Sequence, residues 1–207
     1  MDNNNLAHWK NALMHSPATL AIIAINVIIY AVHNLVAGSP DQLLLNPEFT
    51  TAMARPWTLM TVAFSHEVLF HLVINMALLF VFSTRLEVAV GYKVVFLVYL
   101  LSGIVGSLTV FPLAPLLGWT GSVAGASAAV FGIVAAYSGL YPKANIFGSK
   151  AVVWAGMLFL VNAAIFAMRP HISIGAAAHA VGLLVGLACG FGLSRISGGV
   201  SEARTGD

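Results

Sequence analysis

Two side chains with complementary chemistry, Ser127 and His179, lie within apolar stretches of the sequence. A serine hydroxyl is a weak nucleophile until a base removes its proton, and a nearby neutral imidazole is the usual base. A second polar pair, His71 and Asn75, is four residues apart and therefore shares one face of a helix. These four residues predict a nucleophile with its base, together with two groups that could bind a developing oxyanion.

The composition indicates that these polar groups lie in a membrane. Hydrophobic residues make up 59% of the 207 positions, and charged residues only 8%. Soluble domains average about 25% charged residues, so most of this surface is expected to face the lipid bilayer. The net charge of +2 is too small to indicate a nucleic-acid partner.

Six apolar stretches of about 17–22 residues are each long enough to cross a hydrocarbon core about 30 Å thick as a helix. They are Ala18–Ala37, Val68–Thr84, Val94–Val110, Val123–Leu140, Ala151–Met168 and Ile172–Leu193. The period-two alternation of membrane strands is absent, so we predict an all-α membrane protein, a six-transmembrane-helix bundle. Residues 18–193 form the predicted membrane domain, between polar terminal segments at 1–17 and 194–207.

Lysine and arginine predict the orientation, because they concentrate in cytoplasmic loops. If the N-terminus is cytoplasmic, the inner segments hold seven of these residues: Lys10, Arg85, Lys93, Lys143, Lys150, Arg195 and Arg204. The outer segments then hold only Arg55 and Arg169. We therefore expect both termini to be cytoplasmic. The polar N-terminus lacks the pattern of a cleaved signal peptide, so the first helix is expected to be retained.

This orientation predicts that the polar groups share one layer of the membrane. The second, fourth and sixth helices then run from outside to inside. His71, Ser127 and His179 lie about three, four and seven residues into them, a spread of only about 6 Å along the helix axis. All three are expected just below the outer surface.

Small residues predict a close contact between the fourth and sixth helices. Ser127 follows Gly125, and Gly182 and Gly186 form a small-xxx-small pair after His179. His179 shares a helix face with both glycines, since it precedes them by three and seven residues. The imidazole is therefore expected at the contact, within reach of the Ser127 hydroxyl.

A carboxylate partner for His179 is not expected. The nearest acidic residue within a helix, Glu87, lies at the cytoplasmic end of the second helix and far from the Ser127 layer. The predicted catalytic unit is a Ser–His dyad rather than a full triad. Phe131, one turn below Ser127, is expected to pack against the imidazole and to support its orientation.

The remaining polar residues of the predicted helices are interpreted as structural. Asn26, His33 and Asn162 are expected to be packing polar groups. His66 and His71 could suggest a metal, but their spacing of five places them on different helix faces and no carboxylate joins them. We therefore expect neither a metal nor another cofactor.

These residues resemble those of the rhomboid intramembrane serine proteases, of the minimal six-helix prokaryotic type. The resemblance covers about Pro56 to Gly190. The matching pieces are Gly125-Ala126-Ser127-Ala128 with Phe131-Gly132, Ala178-His179-Ala180-Val181-Gly182 with Gly186, Phe64-Ser65-His66 with His71-Leu72-Val73-Ile74-Asn75-Met76, Leu86-Glu87 with Gly91, and Tyr99-Leu100-Leu101-Ser102-Gly103.

The resemblance implies a six-helix bundle with a water-filled cavity open to the outside. It implies a Ser127–His179 dyad and an oxyanion hole that includes His71 and Asn75. The implied partners are the lipid bilayer and protein substrates whose transmembrane segments are cut near the outer face. Substrates are expected to enter between the second and fifth helices, past Arg169–Ser173. A multi-pass protein of a bacterial-type cell membrane is expected.

Two positions depart from the family pattern, and two alternative functions stay open. Ala128 follows the nucleophile where the family usually has glycine, so an extra methyl group is expected to crowd the helix contact or to shift the oxyanion hole slightly. Trp57 is followed by Thr58 instead of arginine, and the nearby arginine is Arg55. The first alternative is a catalytically inactive relative that binds transmembrane helices. The second is a small proton channel or transporter that uses His71 and His179.

Overall fold

The structure is a computed structural model that describes residues 15–35 and 42–204. Helices dominate this part of the chain: α1 (Pro17–Leu35), α2 (Phe49–Ala54), α3 (Thr58–Thr61), α4 (Leu69–Val90), α5 (Tyr92–Leu108), α6 (Val110–Leu117), α7 (Ser127–Leu140), α8 (Ala151–Met168) and α9 (Ile174–Arg204). Short 3-10 turns form at Val62–Phe64 and Pro170–Ile172. A small antiparallel hairpin, β1 (Asn145–Ile146) and β2 (Ser149–Lys150), joins α7 to α8.

The predicted all-α membrane architecture is confirmed. Within the described ranges, five helical segments are long and apolar enough to cross a membrane: α1, α4, the continuous stretch Tyr92–Leu117 formed by α5 and α6, α8, and α9 over Ile174–Ile196. The sixth apolar helix, α7, has only 14 residues. Every one of them is buried, and α4, α5, α8 and α9 all pack on it. A helix enclosed by protein in this way does not need the length of a lipid-facing span.

Several predicted boundaries differ from the observed ones. The fourth segment is not helical from Val123, because the backbones of Val123 and Leu45 exchange hydrogen bonds of 2.8 and 3.0 Å. The third segment extends to Leu117 and the sixth extends past Leu193 to Arg204. Residues 1–14 of the predicted N-terminal segment 1–17, the predicted end of the first helix at Ala37 and the last three residues lie outside the described residues.

Glycines of α9 lie directly on the backbone of α7. The contact repeats every four residues, and a methyl group on each glycine would overlap a carbonyl group of α7: Gly182 faces Ala128, Gly186 faces Gly132 and Gly190 faces Ala136. Lipid tails are as apolar as leucine, so helices in a bilayer associate through close packing and polar contacts. This row of glycines therefore sets the spacing between the two helices.

The carboxylate of Glu87 on α4 caps the start of α1. Its oxygens accept hydrogen bonds from the backbone N–H groups of Ala18 and Thr19, each at 2.8 Å, and from the Thr19 hydroxyl at 2.6 Å. The first N–H groups of a helix have no partner within the helix, and the helix dipole favours a negative charge beside them. Glu87 thus fixes the N-terminal end of α1 against α4, a role that its sequence position did not indicate.

Asn26, predicted as a packing group, lies at the contact of α1 with α5. Its amide donates to the Ile22 carbonyl at 2.8 Å and to the Tyr99 hydroxyl at 3.3 Å. Tyr99 in turn donates to the Ala63 carbonyl at 2.6 Å. These bonds tie α1 and α5 to the 3-10 turn that precedes α4.

The connection between α1 and α4 is anchored through Trp57. Its indole N–H donates to the Gln42 carbonyl at 2.9 Å, and the Thr58 hydroxyl donates to the Arg55 carbonyl at 2.8 Å. Phe49 and Met53 on α2 expose apolar side chains beside the exposed Trp57. The Trp57–Thr58 pair therefore holds this connection through backbone carbonyls, despite its departure from the family pattern.

We predict that Glu87→Ala destabilises the protein by about 2–3 kcal/mol, because it leaves the N–H groups of Ala18 and Thr19 without their acceptor. Thermal unfolding in detergent, followed by circular dichroism, measures the change. Glu67→Ala removes an exposed glutamate and serves as the matched control. Equal stability of the two variants would contradict the capping role.

We also predict that Gly186→Ala destabilises the bundle by about 2–3 kcal/mol, because the new methyl group collides with the rigid backbone of α7. Gly192→Ala on the same helix is the control, since no atom among the described residues lies within 4 Å of a methyl group there. It should be neutral or stabilising by up to about 1 kcal/mol. The same unfolding assay measures both, and similar melting temperatures for the two variants would count against the tight contact.

Candidate active site

Ser127 is the first residue of α7. The sequence placed it about four residues into its helix, and the extended segment before it accounts for the difference. The side chain is only 5% exposed, at a helix N-terminus where free N–H groups and the dipole favour negative charge. Its hydroxyl oxygen lies 2.5 Å from Nε2 of His179. The predicted pair is therefore brought into direct hydrogen-bond contact.

The imidazole of His179 is held between two helices. The residue is the sixth of α9, one turn before the glycine contact with α7. The ring of Phe131 on α7 packs against it, with ring centroids 4.8 Å apart and planes inclined by 47°. Phe131 thus contacts the imidazole as the sequence predicted, and limits the positions that the ring can take.

The far side of the imidazole has a polar partner that the sequence analysis did not assign. Oδ1 of Asn162 on α8 lies 2.7 Å from Nδ1 of His179. Asn162 was expected to be a packing polar group, and the pair was expected to have no third member. The structure instead gives a row of three contacting side chains, Ser127, His179 and Asn162, each on a different helix.

The position of Asn162 along its helix could have revealed it. It lies six residues before the end of α8 at Met168, and His179 lies five residues after the start of α9 at Ile174. At about 1.5 Å per residue, both are about 8–9 Å from the loop that joins the two helices. Asn162, on the fifth of the six predicted helices, therefore lies at a depth similar to that of His179.

Gly125 separates the imidazole of His71 from the hydroxyl of Ser127. Its φ of +145° is one that residues with a side chain rarely adopt. A methyl group on Gly125 would lie 3.0 Å from Cε1 of His71 and 3.3 Å from the Ser127 hydroxyl oxygen. The ring of His71 therefore lines the same small space as Ser127, and glycine is needed to keep that space open.

Asn75 is buried one turn after His71 on α4. Its side-chain amide donates a hydrogen bond of 2.9 Å to the His71 carbonyl. An amide nitrogen carries two hydrogens, so this bond uses one donor and leaves the second. The structure thus joins Asn75 to the backbone that carries His71.

His66 packs edge-on against His71, with ring centroids 5.2 Å apart. The spacing of five was expected to place the two histidines on different faces of one helix, but His66 lies before α4 begins. Burial, and then the neighbouring His71, lower the pKa of His66 to about 4, so the ring is neutral at physiological pH. Among the described residues, neither ring nitrogen of His66 has a hydrogen-bond partner.

Ala128 is accommodated by a glycine on a neighbouring helix. A methyl group on Gly106 of α5 would lie only 2.9 Å from Cβ of Ala128. The Ala128 side chain therefore points towards α5, and its backbone, not its methyl group, meets Gly182 on α9. The expected crowding of the α7–α9 contact does not occur, because Gly106 provides the space.

Comparison with known proteins identifies the family. The rhomboid domain matches residues 53–196, well over half of the chain. The chain belongs to the rhomboid family, and it is a membrane protein with several apolar helices. The matched region contains Ser127, His179, Asn162, His71 and Asn75.

Three relatives give the extent of the similarity. Rhomboid protein 1, mitochondrial, of Saccharomyces cerevisiae is 32% identical over 186 residues, which are 84% of this chain and 53% of the relative. RHOMBOID-like protein 6, mitochondrial, of Arabidopsis thaliana is 35% identical, over 65% of this chain and 43% of the relative. Rhomboid-like protease 3 of Toxoplasma gondii is 30% identical, over 64% and 53%. The chain thus spans about half the length of these relatives.

Proposed function

We propose that this chain is an intramembrane serine endopeptidase that cuts transmembrane segments of other membrane proteins near the outer membrane face. The observation that carries the proposal is the contact of 2.5 Å between the Ser127 hydroxyl and Nε2 of His179, at the N-terminus of α7. A structural serine in a helix usually bonds a backbone carbonyl of its own helix, as Ser138 does with Val134 at 2.8 Å. Ser127 instead bonds an imidazole on another helix.

The first half of the reaction forms an acyl-enzyme. The Ser127 oxygen bonds to the carbon of the scissile carbonyl while its proton passes to Nε2 of His179. The carbonyl electron pair moves onto the oxygen, which becomes an oxyanion. When this intermediate collapses, the C–N bond breaks and the imidazolium returns its proton to the leaving amine.

The oxyanion needs donors close to Ser127. The first-turn N–H groups of α7 have no acceptor within their own helix and point towards its N-terminus. The ring of His71 lies beside the Ser127 hydroxyl across Gly125, and Asn75 keeps an unused amide hydrogen one turn away. Together these groups supply the donors of an oxyanion hole.

Water completes the cycle. A water molecule attacks the acyl ester as its proton passes to Nε2 of His179. The C–O bond to Ser127 then breaks, and the serine oxygen recovers the proton from the imidazolium. The products are two peptide fragments, and the serine and histidine return to their starting states.

The substrate class follows from where the site lies. Ser127 and His179 are close to the ends of α7 and α9 that adjoin the loops 118–126 and 169–173. With both termini cytoplasmic, as the loop charges predict, these loops face the outside. Exposed apolar side chains on α4 and α8, such as Phe70 and Leu160, face lipid on both sides of the proposed entry between these helices. A bacterial-type cell membrane is the proposed location.

We expect Ser127→Ala and His179→Ala each to abolish cleavage of a model transmembrane substrate in liposomes, because each removes a reacting atom. A serine-directed fluorophosphonate should label wild-type protein at Ser127, as identified by mass spectrometry. Ser138→Ala removes a buried serine of the same helix that bonds only backbone carbonyls in the described structure, and it should still be labelled and active. Cleavage that persists in Ser127→Ala would refute the proposal.

We expect His71→Ala to lower kcat by about 100-fold or more while KM changes little, because an oxyanion donor acts mainly in the transition state. Asn75→Ala should lower kcat in the same direction. Steady-state kinetics on the same substrate measures both effects. His33→Ala, in the last turn of α1, is the control and should match wild type. An unchanged kcat in both His71→Ala and Asn75→Ala would exclude them from the oxyanion hole.

A further inference from the structure

The amide of Asn162 has a defined orientation between a backbone carbonyl and the imidazole of His179. Its nitrogen donates to the Leu158 carbonyl at 2.8 Å, and its oxygen lies 2.7 Å from Nδ1 of His179. If the amide were turned over, its oxygen would face a carbonyl oxygen, and both would be acceptors. The unflipped amide is therefore the one that both contacts allow.

This orientation determines where the proton of the imidazole lies. An amide oxygen only accepts hydrogen bonds, so the Nδ1 that faces Asn162 must carry the hydrogen. Neutral histidine has one N–H, and Nε2 is then bare. The bare nitrogen faces the Ser127 hydroxyl at 2.5 Å, which is the arrangement that a general base needs.

We infer that Asn162 is a positioning residue that holds His179 in the Nδ1–H tautomer. It is then the third member of a Ser127–His179–Asn162 unit. This inference rests on the proposed function for its catalytic consequence. Its structural content, the tautomer and the orientation of the ring, is independent of any substrate.

The surroundings of Asn162 argue that this contact is more than general packing. Asn162 is 8% exposed, whereas its neighbours Leu160 and Val161 are 67% and 51% exposed. Along the fully described helix α8 the other buried residues, Ala151 and Ala155, lie in its first five residues. In the half of α8 nearer the site, Asn162 is thus the one buried residue, and its side chain contacts the imidazole of His179.

An amide suits this position for an electrostatic reason. A charged carboxylate within a bilayer is costly, while an amide accepts the Nδ1–H bond without a net charge. When the proton of Ser127 moves to Nε2, the ring becomes positive and hydrogen bonds to a charged donor are stronger. The bond to Asn162 therefore strengthens as the reaction proceeds and stabilises the transition state more than the ground state.

The test compares three variants of the full chain in detergent and liposomes. Asn162→Leu removes the acceptor at similar volume, and Asn162→Asp restores an acceptor oxygen. Asn26→Leu is the matched control, because Asn26 is also a buried asparagine that donates to the carbonyl four residues earlier, at 2.8 Å. Asn26→Leu should affect stability without affecting the reactivity of Ser127.

The first measurement is the rate of fluorophosphonate labelling at Ser127, which needs no protein substrate. We expect Asn162→Leu to lower the maximal labelling rate by about 10- to 100-fold, with about a two-fold change or less in the half-saturating probe concentration. Asn162→Asp should recover several-fold of that loss. A labelling rate for Asn162→Leu within about two-fold of wild type, or equal rates for the Leu and Asp variants, would overturn the inference.

The second measurement is the tautomer of His179, from 15N spectra of histidine-labelled protein with the His179→Ala spectrum subtracted. Wild type should show a protonated Nδ1 and a bare Nε2, and Asn162→Leu a mixture of tautomers. A bare Nδ1 in wild type would overturn the inference, even if Asn162→Leu failed to fold. If labelling and tautomer behave as expected but no transmembrane substrate is cleaved, the proposed proteolysis fails while the role of Asn162 stands.

Discussion

Direct backbone contact between α7 and α9 is the constraint on which the candidate site depends. Gly182, Gly186 and Gly190 bring the two helices closer than any side chain would allow. The hydroxyl of Ser127 is short, so the imidazole reaches it only because the helices that carry them approach so closely. In lipid, where burial of apolar side chains gives helices little reason to associate, this packing must supply much of the attraction. The same contact therefore stabilises the bundle and sets the distance between the Ser127 hydroxyl and the His179 imidazole.

A bilayer gives an unpaired polar group no water to bond, so a buried polar side chain is costly without a partner inside the protein. Two buried polar clusters of this chain find such partners in different ways. At the C-terminal end of α4, the carboxylate of Glu87 accepts hydrogen bonds from N–H groups of α1. At the site, the polar row of Ser127, His179 and Asn162 carries no carboxylate. In the proposed mechanism, His179 becomes positive only when Nε2 takes the proton of Ser127, and the Asn162 oxygen then faces the opposite side of the ring.

The sequence was informative where a residue type in its context had a single physical interpretation. Ser127 and His179 were predicted because polar groups in apolar helices are costly, and the α7–α9 contact because glycine spacing reports directly on helix approach. Other features depended on tertiary contacts that have no local signal. The start of α7 at Ser127 depends on the pairing of Val123 with Leu45, over 70 residues away. The predicted dyad lacked Asn162, because an asparagine that bonds its own helix and one that orients a base look alike until the neighbouring helix is placed.

Ala128 shows why a departure from a family pattern has to be judged against the position that faces it. From the sequence, a methyl group beside Ser127 was expected to crowd the helix contact or to shift the oxyanion hole slightly. The structure turns that methyl group towards Gly106 on α5, where a second methyl group would come within 2.9 Å. A methyl group on Gly106 would also come within 2.7 Å of the Ala178 carbonyl oxygen on α9, so this glycine gives room to both neighbours. The close contact of α7 and α9 is preserved because the Ala128 side chain is directed at Gly106 and leaves the Ala128 backbone against Gly182.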